Sequence, residues 1–264
     1  MRGVSFDRAA GFYDATRGLP DDARDSLAHI LAAELAGHGR CLEIGVGTGR
    51  IALPLHQRGV ALAGADISPE MLKRLVANAG GQPPFPVMLA DATMLPLATA
   101  SFGAVLASHV LHLIPPWRAA VDEAVRVLRP GGVLLADFGG GAPAPWNRPC
   151  QELLNRRGIY LVRPGVSDPD SVAAHLGEPA SVRSLPRVTM TVRRSLSQDL
   201  DEWEGQMHAW TWPYTREQLR AGCADIRAWA ADDNWPLDQE FELERTIQWW
   251  VFERPAITAR GSPG

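Results

Sequence analysis

The segment Leu42-Glu-Ile-Gly-Val-Gly-Thr-Gly-Arg50 carries the residue types and spacing best suited to binding chemistry. Glycines at 45, 47 and 49 let the backbone approach a ligand closely, and they follow a short apolar run that reads as a strand, Arg40 to Ile44. A dinucleotide fingerprint of the form G-x-G-x-x-G would need glycine at 50, where Arg50 stands. Glu43, two residues before the first glycine, sets a negative charge where phosphates would be repelled, so the loop suits a cationic ligand. Two further acids close short apolar runs: Asp66 after Ala61–Ala65, and Asp91 after Phe85–Leu89. A fourth run, Ala104–Ala107, ends at Ser108 and His109, with His112 just beyond. Histidine titrates near neutral pH, so His109 and His112 are the candidate general bases, with Tyr160 and His175 as more distant options. The alternative is that these histidines are hydrogen-bonded structural residues. Asp66 likewise reads as a helix-initiating acid ahead of Ser68, and Asp91 as a turn residue.

The elements that must position these residues alternate along the chain. An amphipathic helix with Leu27, Ile30, Leu31 and Leu35 follows Pro20 and two aspartates. The glycine loop leads into a second helix at Arg50. Ser68-Pro69-Glu70 supplies an N-cap, a proline at the first helical position and an acid near the dipole's positive end for a third. Ala119 to Leu128 reads as a helix and Val133 to Phe138 as the fifth strand. Strands alternating with helices imply a parallel sheet covered on both faces. Gly139 to Pro145 is a Gly/Pro stretch that holds no regular element. Beyond it come helices near Cys150–Arg157 and Ser171–Leu176, an alternating strand around Val188–Val192, helices around Asp199–His208 and Thr215–Ala230, and a last strand over Thr246–Phe252.

Composition narrows the function classes. The chain has 264 residues, 46% hydrophobic and 21% charged, which excludes disorder as the main story. A net charge of −4 gives no broad basic field for nucleic-acid backbones. The three cysteines, Cys41, Cys150 and Cys223, are far apart and fit neither a disulfide framework nor a zinc cage. No apolar stretch approaches the ~20 residues of a membrane span, and Met1 to Ala10 lacks a signal-peptide core. A cytoplasmic protein is expected, acting on a small molecule, without a metal site.

In motif order over residues 1 to 138 the chain resembles the class I S-adenosylmethionine-dependent methyltransferases, in particular their small-molecule, ubiquinone-biosynthesis-like branch. The resemblance rests on Glu43, Gly45, Gly47 and Gly49, on Asp66, on Asp91-Ala92, and on the turn Arg126-Val-Leu-Arg-Pro-Gly-Gly132. It implies S-adenosyl-L-methionine as cofactor. Asp66 would then accept hydrogen bonds from the ribose hydroxyls, Ile67 would flank the adenine, and Asp91 with Ala92 would meet the adenine amino group. The backbone at Ser108 and His109 would hold the methionine ammonium. In the lead segment, Tyr13 would shield the methionine and Arg17 would pair its carboxylate, the other reading being that both cap the first helix.

The expected architecture is α/β: a Rossmann-like, seven-stranded, mostly parallel sheet with helices on both faces and a small helical insertion after strand 5. The divisions are 1–138 for the cofactor core with its lid helix, 139–181 for a helical cap, and 182–264 for strands 6 and 7 with aromatic-rich helices. Trp146, Trp203, Trp210 and Trp212 are candidates to enclose an acceptor, the other reading being that tryptophans fill cores, as expected of Trp249 and Trp250. Arg183, Arg187, Arg193 and Arg194 read either as an anion contact or as a solvated face balanced by Asp199, Asp201, Glu202 and Glu204. Ile114-Pro-Pro-Trp117 and Pro149-Cys150 look like target motifs of nucleic-acid methyltransferases; the first lacks its polar lead residue and reads as a helix start, and the second as a buried cysteine. The expected function is methyl transfer to a small organic acceptor. The alternatives are a cofactor-retaining relative that catalyses a non-methylating reaction, and a degenerate fold serving as an interaction protein.

Overall fold

The computed structural model describes residues 5–177 and 181–253. The expected divisions draw on residues 1–4, 178–180 and 254–264, which lie outside the described residues. The chain divides into two compact units, one formed by residues up to 139, 164–188 and from 248, the other by 140–163 and 189–247.

The first unit holds a seven-stranded sheet. Its strands are β1 (Cys41–Ile44), β2 (Leu62–Asp66), β3 (Val87–Leu89), β4 (Phe102–Ala107), β5 (Leu128–Asp137), β6 (Ser181–Ser184) and β9 (Trp249–Glu253), in the order β3-β2-β1-β4-β5-β9-β6. β1 to β5 run parallel, and β9 enters antiparallel between β5 and β6. Every residue of β1, β2 and β4 is buried, as befits central strands covered on both faces. Helices α1 (Tyr13–Arg17), α2 (Asp21–Leu35), α3 (Ala52–Gln57), α4 (Pro69–Asn78), α5 (Trp117–Val127) and α7 (Pro169–Leu176) complete this unit. Ser68 caps α4 by accepting from the Met71 N–H, with Pro69 in the first turn, as the sequence predicts. The core under α5 joins Leu42, Val105 and Leu134 of the sheet to Val121, Ala124 and, from α7, Val172.

The second unit has its own core. Cys150 and Leu154 of α6 (Asn147–Arg156) pack with Leu200 and Trp203 of α8 (Leu196–Glu204) and Cys223 and Ile226 of α9 (Arg216–Asp232). Both α8 and α9 begin with a capping box, Ser195/Gln198 and Thr215/Gln218. A two-stranded sheet of β7 (Val188–Arg194) and β8 (Phe241–Ile247) accompanies them.

Two strand expectations change here. The alternating strand at 188–192 leaves the main sheet and pairs with β8, because its half-exposed pattern suits a two-stranded ribbon with one covered face. The single run expected over 246–252 breaks at Gln248 into β8 and β9, each in a different sheet. The Gln248 side chain accepts from Arg187 Nε at 2.5 Å and donates to the Leu185 carbonyl at 2.5 Å.

Candidate active site

The sheet order reverses about β1: the chain goes to β2 on one side and later to β4 on the other, which opens a crevice beyond the carboxyl ends of these strands. A cleft lies there, lined by Gly45, Gly47, Asp66, Ile67, Asp91, Ala92, Ser108 and His109, with Phe6 and Tyr13 from the lead segment. The glycine loop forms its floor. Gly45 has φ +66°, and a Cβ on it would stand 2.5 Å from Cγ2 of Val110, so only glycine keeps this backbone in place. Asp66, at the end of β2, is held by the loop itself: Oδ2 accepts from Gly47 N–H at 2.8 Å and Oδ1 from Ser68 N–H at 2.8 Å. Burial raises its carboxyl above the ordinary value, with those N–H groups opposing.

Behind the loop, Glu43 is 1% exposed. Burial pushes its carboxyl well above the usual range; Arg50 opposes, while the charges of Asp137 and Asp66 add to the rise. Its Oε2 finds no hydrogen-bond partner among the described residues. Arg50 reaches the Arg17 carbonyl (3.2 Å) and Ser108 Oγ (3.4 Å), and Ser108 Oγ donates to Asp137 Oδ2 at 2.9 Å.

Two carboxylates tie the lead segment to the strand ends. Asp7 Oδ1 accepts from Ser68 Oγ at 2.6 Å, and Asp14 accepts from Thr48 Oγ1 (2.5 Å) and Asn78 Nδ2 (2.9 Å). Between them, the rings of Phe6 and Tyr13 meet edge to face at 6.0 Å on the cleft wall.

A methyltransferase-domain family model matches residues 42–136, the stretch that contains the loop, Asp66, Asp91 and β5. An uncharacterized methyltransferase of Mycobacterium tuberculosis is 35% identical over 156 residues, 59% of this chain and 60% of that protein. Residues 42–136 thus carry the sequence pattern of a methyltransferase domain. The chain spans only 60% of the length of that relative. Among solved structures, a candidate methyltransferase from Bacillus halodurans aligns with TM-score 0.59 at 17% identity, over 88% of this chain and 98% of its own. The cyclase SpnF aligns with TM-score 0.54 at 18% identity, over 97% and 98%. At these identities the likeness is one of fold.

The cleft thus brings together Tyr13, Gly45, Gly47, Asp66, Ile67, Asp91, Ala92, Ser108 and His109 of the residues expected from sequence. Arg17, Glu43, Gly49 and His112 are not among the described residues lining it. The Arg17 guanidinium donates to the Thr16 carbonyl at 3.0 Å. The His112 carbonyl accepts from Gly165 N–H at 2.9 Å, and its ring stands edge to face with His109 at 5.9 Å. His175 pairs with Asp122 at 2.8 Å and lies against Trp117, outside the cleft lining. Trp146 and Trp203 are buried in the second unit's core, where the Trp146 indole donates to Asp199 at 2.8 Å, so both serve packing. The arginine stretch is paired: Arg183 with Glu34 and Glu253, Arg193 with Glu242, and Arg194 with Asp199 and Glu202. Asp201 and Glu204 pair with Arg227 instead. Cys150 is buried, its thiol pushed up to about 12 by burial. Sequence reasoning missed Asp137 and Asp14. Asp137 closes β5 as Asp66 closes β2, a position that by itself does not set it apart from any other acid at a strand end.

Proposed function

We propose that this cleft binds S-adenosyl-L-methionine and that the protein, working in the cytoplasm, moves the methyl group to a small organic acceptor by direct in-line displacement. The observation that carries the reading is Asp66: a buried carboxylate, fixed by two backbone N–H groups, at the cleft wall between the glycine loop and Asp91. Each of its oxygens keeps a further lone pair, so it can also accept from a ribose diol. The residues present fit the cofactor. The loop presents bare backbone to the cleft at Gly45 and Gly47, and Glu43 and Asp137 each hold a buried oxygen without a hydrogen-bond partner among the described residues.

When bound, the cofactor supplies an already activated methyl group on a charged sulfur. The chain's part is alignment, exclusion of water and, for a protic nucleophile, removal of a proton. In this reading Ile67 packs beside the adenine, Asp91 and Ala92 meet its amino edge, the Ser108 carbonyl holds the ammonium group, Tyr13 covers the methionine, and Arg17 turns to its carboxylate. His109, on the cleft wall, is the base that meets the acceptor, with His112 behind it.

Calorimetric titration with S-adenosylhomocysteine, with NAD as control, tests the cofactor. Micromolar binding to the first alone is expected, weakened at least about tenfold in Asp66→Ala through loss of a charged acceptor pair. Unchanged binding in that variant, or none in the parent, overturns it. Product mass then tests the reaction: a donor that binds without any product gaining a methyl favours the non-methylating alternative.

A further inference from the structure

Asp137 closes β5 at 2% exposure, yet only one of its carboxylate oxygens is satisfied. Oδ2 accepts from Ser108 Oγ at 2.9 Å, and that hydroxyl is itself approached by Arg50 at 3.4 Å. Oδ1 is fully buried with no hydrogen-bond partner among the described residues. Nε2 of His109 stands 3.4 Å from it. His109 reaches this place at a conformational cost: its φ is +47°, in the left-handed region that non-glycine residues seldom adopt. The imidazole is one-third exposed and lines the cleft. The contact is ion-pair proximity and not an aligned hydrogen bond, but a small turn of the ring would bring Nε2–H onto this unsatisfied oxygen, and a carboxylate so placed fixes a histidine's tautomer.

We infer that Asp137 is a positioning residue for His109: it receives the Nε2–H, fixes the ring in that tautomer, and favours the imidazolium that forms when Nδ1 takes a proton. Ser108 and Arg50 hold the carboxylate in place from its other side. The inference rests on the reading of His109 as the cleft's proton acceptor and adds the group that makes it one. No other cofactor or metal enters the step: a proton moves from the acceptor to Nδ1, and the positive charge is balanced by Asp137. The charged and titratable groups around the pair are His112, ring to ring with His109, Arg50, which reaches Ser108 beside Asp137, and Glu43, which feels the charge of Asp137.

The test is a long-range proton–nitrogen NMR titration of the histidines in the full chain, with His109 assigned by the signal lost in His109→Gln. The neutral ring is expected as the Nε2–H tautomer. Its titration midpoint should fall by about half a pH unit or more in Asp137→Asn, because removing the carboxylate removes the charge that favours imidazolium. A neutral Nδ1–H tautomer in the unsubstituted protein overturns the inference even if Asp137→Asn does not fold. A midpoint unmoved in a folded Asp137→Asn also overturns it. Binding of S-adenosylhomocysteine, measured on the same sample, reports separately on the cofactor reading: its loss leaves the His109–Asp137 result standing, and its presence does not supply that result.

Discussion

Glu43 shows how one residue type carries a consequence for both binding and stability. Its carboxyl is buried beneath the glycine loop, accepts from the Ala52 N–H, and is pushed well above the ordinary range by burial. The fold therefore favours the neutral form. The stabilising contribution is complete below the unfolded-state value and is lost as pH rises through the folded one. Glu43→Gln keeps a neutral group of nearly the same shape, so the variant should lose less stability than the parent as pH rises from 5 to 9. Urea midpoints across that range check this, and parallel curves would refute it. The type and position of Glu43 were readable beside three alternating glycines; its protonation was not, since burial and the charges of Asp66 and Asp137 come from three separate strands. Asp137 escaped the sequence reading for the same reason. Nothing local separates it from any acid at a strand end, and its meaning comes from Ser108 and His109, which β4 brings alongside through parallel pairing.

At the scale of elements, the lead segment depends on long-range anchors. Helix α1 has only five residues, too few to hold itself by propensity, and it buries none of them. Its Asp14 instead receives Thr48 of the glycine loop and Asn78 at the end of α4. Asp14→Ala should therefore leave the sheet core intact, costing about 1 kcal/mol in urea unfolding, while S-adenosylhomocysteine binding weakens several-fold. An unchanged affinity would show that the lead segment does not close on the cofactor. Helices α4, with its serine cap and proline, and α9 form where the pattern places them to within a turn, whereas α8 starts and ends about one turn before the stretch expected around Asp199–His208. The strands after residue 180 were harder. Thr246 to Phe252 is one β-branched and aromatic run, and only pairing partners decide that it divides at Gln248 between two sheets.

At the scale of the molecule, two hydrophobic cores stand in two units, and each has its own polar supports. In the second unit Arg194 joins Asp199 and Glu202, and Glu202 also meets His208 at 2.8 Å. Burial pushes the Glu202 carboxyl up, but hydrogen bonds from His208 and Arg194 outweigh it and bring it to about 2. A carboxylate lowered on folding stabilises above its unfolded value and loses that contribution as pH falls through the folded one. The second unit should thus weaken in acid between about pH 4.5 and 2, and Glu202→Gln should flatten that part of its unfolding profile. Tryptophan fluorescence suits the measurement, since Trp146 and Trp203 lie in this core. An acid profile unaltered in the variant would refute it. Among the described residues no helix is long and apolar enough to cross a membrane.

The amino-acid sequence by itself determined the alternating strands and helices of the first 138 residues, the glycine loop, and the acids at the ends of β2 and β3, because these depend on local pattern, caps and backbone freedom. Tertiary structure alone decided which of those residues share a cleft. It also took Trp146 and Trp203 into a core, paired the arginines one by one, sent two halves of one strand to different sheets, and set Asp137 behind His109. The physical reason is common to all of them. Burial, ion pairing and sheet pairing are properties of neighbours, and here the neighbours lie from 5 to 149 residues apart in the chain.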